Sequence, residues 1–309
     1  MIQLIDLRKE YDDLIAVDSI NVTIPENEIY GLIGPNGAGK TTTIRMACGL
    51  LVPTTGQAVV SGVDVAKHPE EAQRNIGYLA DFFAVYEDLK VWEYLDYFAH
   101  AYKLPEADIP QRITETVADF GLEIKRDAVI RGLSRGMKQR LGIARATIHR
   151  PKVLLLDEPA SGLDPKSRIE LRNLLLSLRD KGTTILVSSH MLTELEGFCT
   201  SIGIMEKGRM VRSGTISEVT AAESPSKLIR MTWAGDHAFR ILDVLKNTPF
   251  VEDSKPGSNS GTFRFRGSEE QLAEVLSQLL AAGVRITSFA EVKQTVEDLY
   301  MKISHHEVM

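Results

Sequence analysis

Residues Gly34 to Thr42 read GPNGAGKTT, and their setting decides the fold. Upstream, Glu28 to Ile33 is a short apolar run that predicts a strand; downstream, Thr42 to Leu50 spaces its apolar residues as a helix does. The glycines therefore fall on a strand-to-helix turn. Gly34, Gly39, Lys40 and Thr41 satisfy G-x-x-x-x-G-K-[ST]. Positions without side chains let successive backbone N–H groups curl around phosphate oxygens, and the helix N-terminus adds partial positive charge. On this reading the whole stretch, Gly34, Pro35, Asn36, Gly37, Ala38, Gly39, Lys40, Thr41 and Thr42, cradles a nucleotide. Lys40 would reach the β and γ phosphates and the Thr41 hydroxyl would ligate Mg²⁺. An ordinary glycine turn capping a helix is the bland alternative, and the flanking strand and helix weigh against it.

Outward from the loop, Ile2 to Leu7 and Ala16 to Ile24 cluster β-branched residues as strands do. Tyr11 lies between them, placed to stack on an adenine ring. Gln57 to Ser61 and Ile76 to Leu79 predict further strands. From Leu89 the periodicity changes: Leu89 to Leu104, Ile109 to Phe120 and Met137 to His149 carry apolar residues at helical spacing, a helical insert in a strand-rich region. The last of these helices opens with Leu133-Ser134-Arg135-Gly136-Met137. Ser134 at an N-cap and Gly136 in the first turn expose N–H donors to an anion, although alone the pentapeptide is a routine cap.

Val153 to Leu156 is a continuous apolar run, the mark of a strand buried on both faces, and it ends in Asp157-Glu158. Beside a phosphate loop, the first carboxylate suits the Mg²⁺ shell and the second suits orienting or deprotonating an attacking water. Thr183 to Ser189 predicts another core strand, finishing at His190, which could hydrogen-bond a γ phosphate.

The 309 residues, 43% hydrophobic and 25% charged, suffice for one large domain and a smaller one. A net charge of -6 argues against grip on nucleic acid by general electrostatics, and no nucleic-acid partner is expected. Cys48 and Cys199 are too few for a disulfide scaffold or metal cluster and read as reduced core thiols. Arg8, Lys9 and Glu10 follow directly on Met1 to Leu7, so no signal-peptide core is expected, nor any membrane span. The expected location is the cytoplasm.

Taken together, these stretches resemble the ATP-binding subunit of ABC transporters from about Met1 to Val219. Gly34 to Thr42 is similar to the family's Walker A, Leu133 to Met137 to its signature motif, and Val153 to Glu158 to its Walker B with the catalytic glutamate. Ser161 to Asp164 resembles the D-loop, His190 the H-loop histidine, and Tyr11 the A-loop aromatic. Three positions depart from the family pattern: Arg135 and Met137 in LSRGM, where LSGGQ is commonest, and Asp81 at the Q-loop position usually held by glutamine. Asp81 can still contribute to a Mg²⁺ site through water.

The resemblance implies an α/β P-loop NTPase fold, an ABC ATPase core over residues 1–219 with a helical subdomain at about 82–149. It implies ATP and Mg²⁺ as ligands, Glu158 and His190 as catalytic residues, and Thr41, Asp157 and Asp81 around the metal. It also implies a head-to-tail dimer, a homodimer here, in which Ser134 and Gly136 of one subunit meet the nucleotide held by the other. The partner would be a separately encoded permease, export being favoured, with the chain peripheral on the cytoplasmic face.

Residues 220–309 predict a separate α+β domain. Lys227 to Trp233, a helix at His237 to Lys246, a hairpin on either side of Pro256 to Gly261, a helix at Glu269 to Ala282 and a strand at Val284 to Phe289 make a ferredoxin-like βαββαβ order. A last amphipathic helix is expected over Thr295 to Ile303, with His305 and His306 in a solvated tail. Two other functions compete. A soluble ABC-type ATPase acting on nucleic acid or ribosomes usually has tandem cassettes or long coiled coils, which are missing from this sequence. An ATP-responsive module without turnover would not need Glu158 and His190.

Overall fold

The computed structural model describes residues 1–191, 194, 195, 197–221 and 227–292. The chain divides into two compact units, Met1–Ile216 and Ser217–Met309.

The first unit is built on two sheets. An antiparallel one contains β1 (Ile2–Tyr11), β2 (Leu14–Ile24), β4 (Thr55–Val60) and β5 (Val63–Asp64), in the order β2-β1-β4-β5. Asp12 and Asp13 form the two-residue turn between the first two, so both strands run further than the apolar clusters suggest and Tyr11 closes β1 instead of lying between strands. The second sheet contains β3 (Ile29–Ile33), β6 (Ile76–Leu79), β7 (Val153–Leu156), β8 (Thr184–Ser189), β9 (Ser201–Glu206) and β10 (Arg209–Thr215). Its order is β10-β9-β3-β8-β7-β6, parallel throughout except for β10. Every residue of β3, β7 and β8 is buried, as expected of strands covered on both faces. One apolar core joins the two sheets, with Ile2, Leu4 and Val60 from the antiparallel sheet meeting Leu32, Leu155 and Leu186 from the parallel one.

Helix α1 (Lys40–Ala47) follows β3, and the short α2 (Pro69–Arg74) precedes β6. The helical insert comprises α3 (Val91–Ala101), α4 (Ile109–Asp119) and α5 (Arg135–Thr147). Beyond the elements expected from sequence, Pro165–Asp180 forms α6 between β7 and β8. Asp164 caps it by accepting the Ser167 N–H at 2.9 Å, and Leu171, Leu174, Leu175 and Leu178 form its buried stripe. Each such leucine contributes roughly 2 kcal/mol of burial. The hairpin β9-β10 is likewise additional, and a short helix α7 (Ile216–Ala221) follows it.

The second unit has β11 (Lys227–Ala234), α8 (Ala238–Lys246), β12 (Val251–Pro256), β13 (Ser260–Phe265), α9 (Glu269–Ala281) and β14 (Arg285–Val292). The antiparallel order β12-β13-β11-β14 is that of a ferredoxin-like fold. Alternation puts Ile229, Met231 and Trp233 of β11 and Phe263 and Phe265 of β13 on the face covered by the two helices. Ser268 starts α9 with a capping box to Gln271. The helix expected over Thr295 to Ile303 and the tail at His305 and His306 lie outside the described residues. Among the described residues no helix is long and apolar enough to cross a membrane.

Candidate functional site

The strand order brings the chemistry together. β8 lies between β3 and β7, with Ile33 in register with Ser189 and Leu156 with Val187. Gly34, His190 and Asp157-Glu158 therefore leave the sheet at neighbouring carboxyl ends, where parallel α/β sheets place their ligands.

Gly39 closes the phosphate loop at the N-cap of α1 with φ +101°, and a Cβ there would stand 2.5 Å from the Ala16 carbonyl oxygen. Only glycine meets both demands. Lys40 opens the helix and is 5% exposed. Its Nζ donates to the carbonyls of Gly34 (2.6 Å) and Pro35 (3.2 Å) and faces Glu158 Oε1 at 3.2 Å. That ion pair lacks the alignment of a hydrogen bond, leaving Oε1 without a hydrogen-bond partner. A buried ammonium needs such compensation, and incoming phosphate oxygens would compete for it.

Glu158 adopts a left-handed backbone, φ +49°, which a non-glycine residue takes only when its surroundings enforce it. Its N–H donates to Ser188 Oγ at 2.9 Å, and the same hydroxyl donates to Asp157 Oδ1 at 2.7 Å. Glu158 Oε2 accepts from the backbone N–H of His190 at 3.2 Å and lies 2.8 Å from His190 Nδ1. A carboxylate only accepts, so the Nδ1 proton points at Glu158. Ser188 is not among the residues expected from sequence; its one signal is a hydroxyl directly after the apolar Ile185, Leu186 and Val187.

A cavity of about 530 Å³ opens over the loop. Pro35 to Thr42 line it, with Tyr11, Asp81 and Glu158. Tyr11 is 44% exposed, and the Lys9 ammonium lies 5.0 Å from its ring centre. Leu14, Ile15, Ala16 and Lys207 also line the cavity, and no sequence signal marks them. Burial and then the nearby charges of Asp157 and Glu158 push the Asp81 carboxyl above the usual range, against the opposing pull of Arg135 and His190. Asp157 is 2% exposed, and together with Thr41 and Asp81 it makes an all-oxygen donor set, which fits a small hard dication.

Ser134 and Gly136 do not line this cavity. Ser134 caps α5, its Oγ accepting the Met137 N–H at 3.3 Å, and Gly136 is buried against α6. One chain thus assembles phosphate loop, carboxylates and histidine, and holds the α5 N-terminus elsewhere.

The family model described as ABC transporter matches residues 17–161. Nod factor export ATP-binding protein I of Cupriavidus metallidurans is 32% identical over 308 residues, covering 100% of this chain and 98% of that protein. The probable multidrug ABC transporter ATP-binding protein YbhF of Escherichia coli is 39% identical over 221 residues, 72% of this chain, and the match spans only 38% of YbhF. A solved structure of an ATP binding subunit of an ABC transporter shares the fold with a TM-score of 0.65 and 32% identity, covering 72% of this chain and 92% of that one. With a glycine-rich strand-to-helix loop, Asp81 and Glu158 on one cleft and His190 against Glu158, in a chain similar over its full length to an export ATP-binding protein, this protein belongs to the ATP-binding proteins of ABC transporters.

Proposed function

We propose that the chain binds and hydrolyses Mg²⁺-ATP as one of two identical subunits, and that the cycle of association and release drives a separate membrane permease, in the direction of export. The observation that carries this reading is the run Lys40–Glu158–His190 at the carboxyl ends of three adjacent strands.

Lys40 and the loop N–H groups bind the β and γ phosphates, and Tyr11 stacks on the adenine. Thr41, Asp157 and Asp81 hold Mg²⁺, which supplies charge neutralisation at the phosphates. Glu158 orients and deprotonates the attacking water, while His190 keeps the carboxylate aimed through Nδ1 and Oε2. Displacement of Lys40 from Glu158 by phosphate would free the carboxylate for that role. A phosphoryl group in transfer needs donors on all sides, and the cleft of one chain supplies them from one side. Ser134 and Gly136 of the second subunit complete it.

Residues 1–219 serve as the ATPase domain, with the helical subdomain at about 82–149, and 220–309 as an accessory domain that supports dimerisation or regulation. An aromatic patch supports a docking partner near Asp81: Phe82 is 93% exposed, and Tyr86 and Tyr97, about half exposed, pack edge to face at 5.7 Å. Such a surface suits the cytoplasmic end of a permease, which would hold the chain at the membrane. Export is supported by the full-length likeness to a Nod factor export protein.

The test is Glu158→Gln. It is expected to lower turnover by roughly 10²–10³-fold while leaving bound ATP and an ATP-dependent dimer detectable by gel filtration. Unchanged turnover would remove Glu158 from the chemistry.

A further inference from the structure

The N-terminus of α5 touches the segment after Glu158 at two points. Arg135 Nη2 donates to the Ser161 carbonyl at 2.9 Å, and its guanidinium lies flat over Gly162. A Cβ on Gly162 would fall 2.3–2.4 Å from the guanidinium atoms, and the φ of +64° there favours glycine on its own account. One residue on, a Cβ at Gly136 would fall 2.5 Å from Ser167 Oγ, in the first turn of α6. Ser161 in turn donates its N–H to the Glu158 carbonyl at 3.1 Å. The start of α5 is therefore two hydrogen bonds from the backbone of Glu158, the residue held at φ +49°.

We infer that Arg135 is a positioning residue for hydrolysis: by clamping Ser161 and Gly162 it ties the α5 N-terminus to the turn that aims Glu158. The inference rests on the ATPase reading above and deepens it. A planar fork suits this task because it can donate to a carbonyl in its own plane while stacking on a bare Cα. A lysine in its place supplies the charge without the plane. The strained turn is one whose geometry depends on what surrounds it, and a small displacement of a general base costs much rate. Arg135 is exposed, so its hydrogen bond contributes little to overall stability, and its loss registers in the rate.

The experiment uses the full chain with three single variants and one double. Arg135→Ala is expected to lower kcat about tenfold, with ATP affinity, read without Mg²⁺ by a fluorescent analogue on the isolated subunit, changed less than about twofold because Arg135 does not line the cavity and reaches it only through the field at Asp81. Gly162→Ala adds a methyl where the guanidinium sits and also strains the φ +64° backbone, so it is expected to lower kcat more in the wild-type chain than in the Arg135→Ala chain, where only the strain remains. The double variant is therefore expected to fall short of the product of the two losses. Arg135→Lys is expected to restore less than half of the rate. Four outcomes overturn the inference: wild-type kcat in Arg135→Ala, wild-type kcat in Gly162→Ala, multiplication of the two losses, or full rescue by lysine, which would assign Arg135 to direct charge on a phosphate. If Arg135→Ala does not fold, Arg135→Gln against Arg135→Lys carries the same comparison. A wild-type chain that does not hydrolyse ATP would sink the ATPase reading itself and this inference with it, a result separable from wild-type turnover that ignores Arg135.

Discussion

The phosphate loop and the N-terminus of α5 both present the start of a helix, and they differ in what surrounds it. At α1 the surroundings are charged and buried: Lys40, Asp157 and Glu158 converge within one subunit, and the cavity above them is large enough for a nucleotide. At α5 the cap is a serine, Ser134 and Arg135 are exposed, and the anchoring contacts run sideways to Ser161 and Ser167. A helix start whose charged neighbours converge on one cavity suits a highly charged ligand, as proposed for α1, and one that is braced but open suits the role proposed for α5 against a second subunit.

The largest effect expected from this contrast is at the finished end. Lys40→Ala removes the buried cation that faces Glu158 and is proposed to bind the phosphates, and nucleotide affinity should fall by about 10²-fold, or roughly 2–3 kcal/mol; isothermal titration with ATP checks it, and retained affinity would mean the loop is misread. At the open end, Ser134→Arg should abolish turnover while leaving affinity in the isolated subunit intact. Mixing equal amounts of Ser134→Arg and Lys40→Ala subunits should then restore about a quarter of wild-type turnover, because half of the dimers have one complete site of two. Failure of the mixture to exceed either parent would leave the two ends unrelated.

Acid should separate the two regions further. His149, just beyond the C-terminus of α5, stacks on Tyr102 at 3.8 Å, and burial holds its pKa down to about 4. The unfolded imidazole titrates near 6.5, so below that pH the unfolded state takes up a proton the folded state refuses. Stability is therefore lost as pH falls from about 6.5 toward 4, by up to about 1.4 kcal/mol per pH unit. His149→Phe, which keeps a stacking ring and cannot ionise, should flatten that slope in urea denaturation series. Asp81 behaves oppositely. Its raised folded pKa makes the ionised form the unfavourable one, a penalty present in full above the folded pKa and gone below the unfolded value. Asp81→Asn should raise the unfolding free energy slightly at neutral pH in the same urea series, by less than about 1 kcal/mol for a group this exposed, and the gain should vanish as the pH falls through the folded pKa toward the unfolded value. A gain that grows with acid would reverse the assignment.

Legibility followed locality. The strand-to-helix turn at Gly34 to Thr42 could be read because its conformation is a property of nine consecutive residues, whose glycines and backbone N–H groups need no distant partner to define their geometry. Val153 to Leu156 could be read because burial on both faces demands an unbroken apolar run. The ferredoxin-like order of the second unit was legible from alternation such as that of Ile229, Met231 and Trp233. By contrast, α6 is additional to the expected elements although Asp164, Pro165 and the stripe Leu171, Leu174, Leu175 and Leu178 carry its cap and its buried face.

What the amino-acid sequence determines by itself is the set of local conformations and the chemistry each can offer: a loop for phosphate, a pair of carboxylates after a core strand, a capped helix start, an α+β appendage. Only the tertiary structure decides that β8 runs between β3 and β7, so that Ser188 joins Asp157 to Glu158, that Lys207 reaches the cleft from the β9-β10 hairpin, and that Arg135 lies on Gly162. Those pairings join residues separated by 27 to 190 positions or more in the chain only because strand order is settled by burial of whole faces, a sum over the sheet that no short stretch of residues encodes.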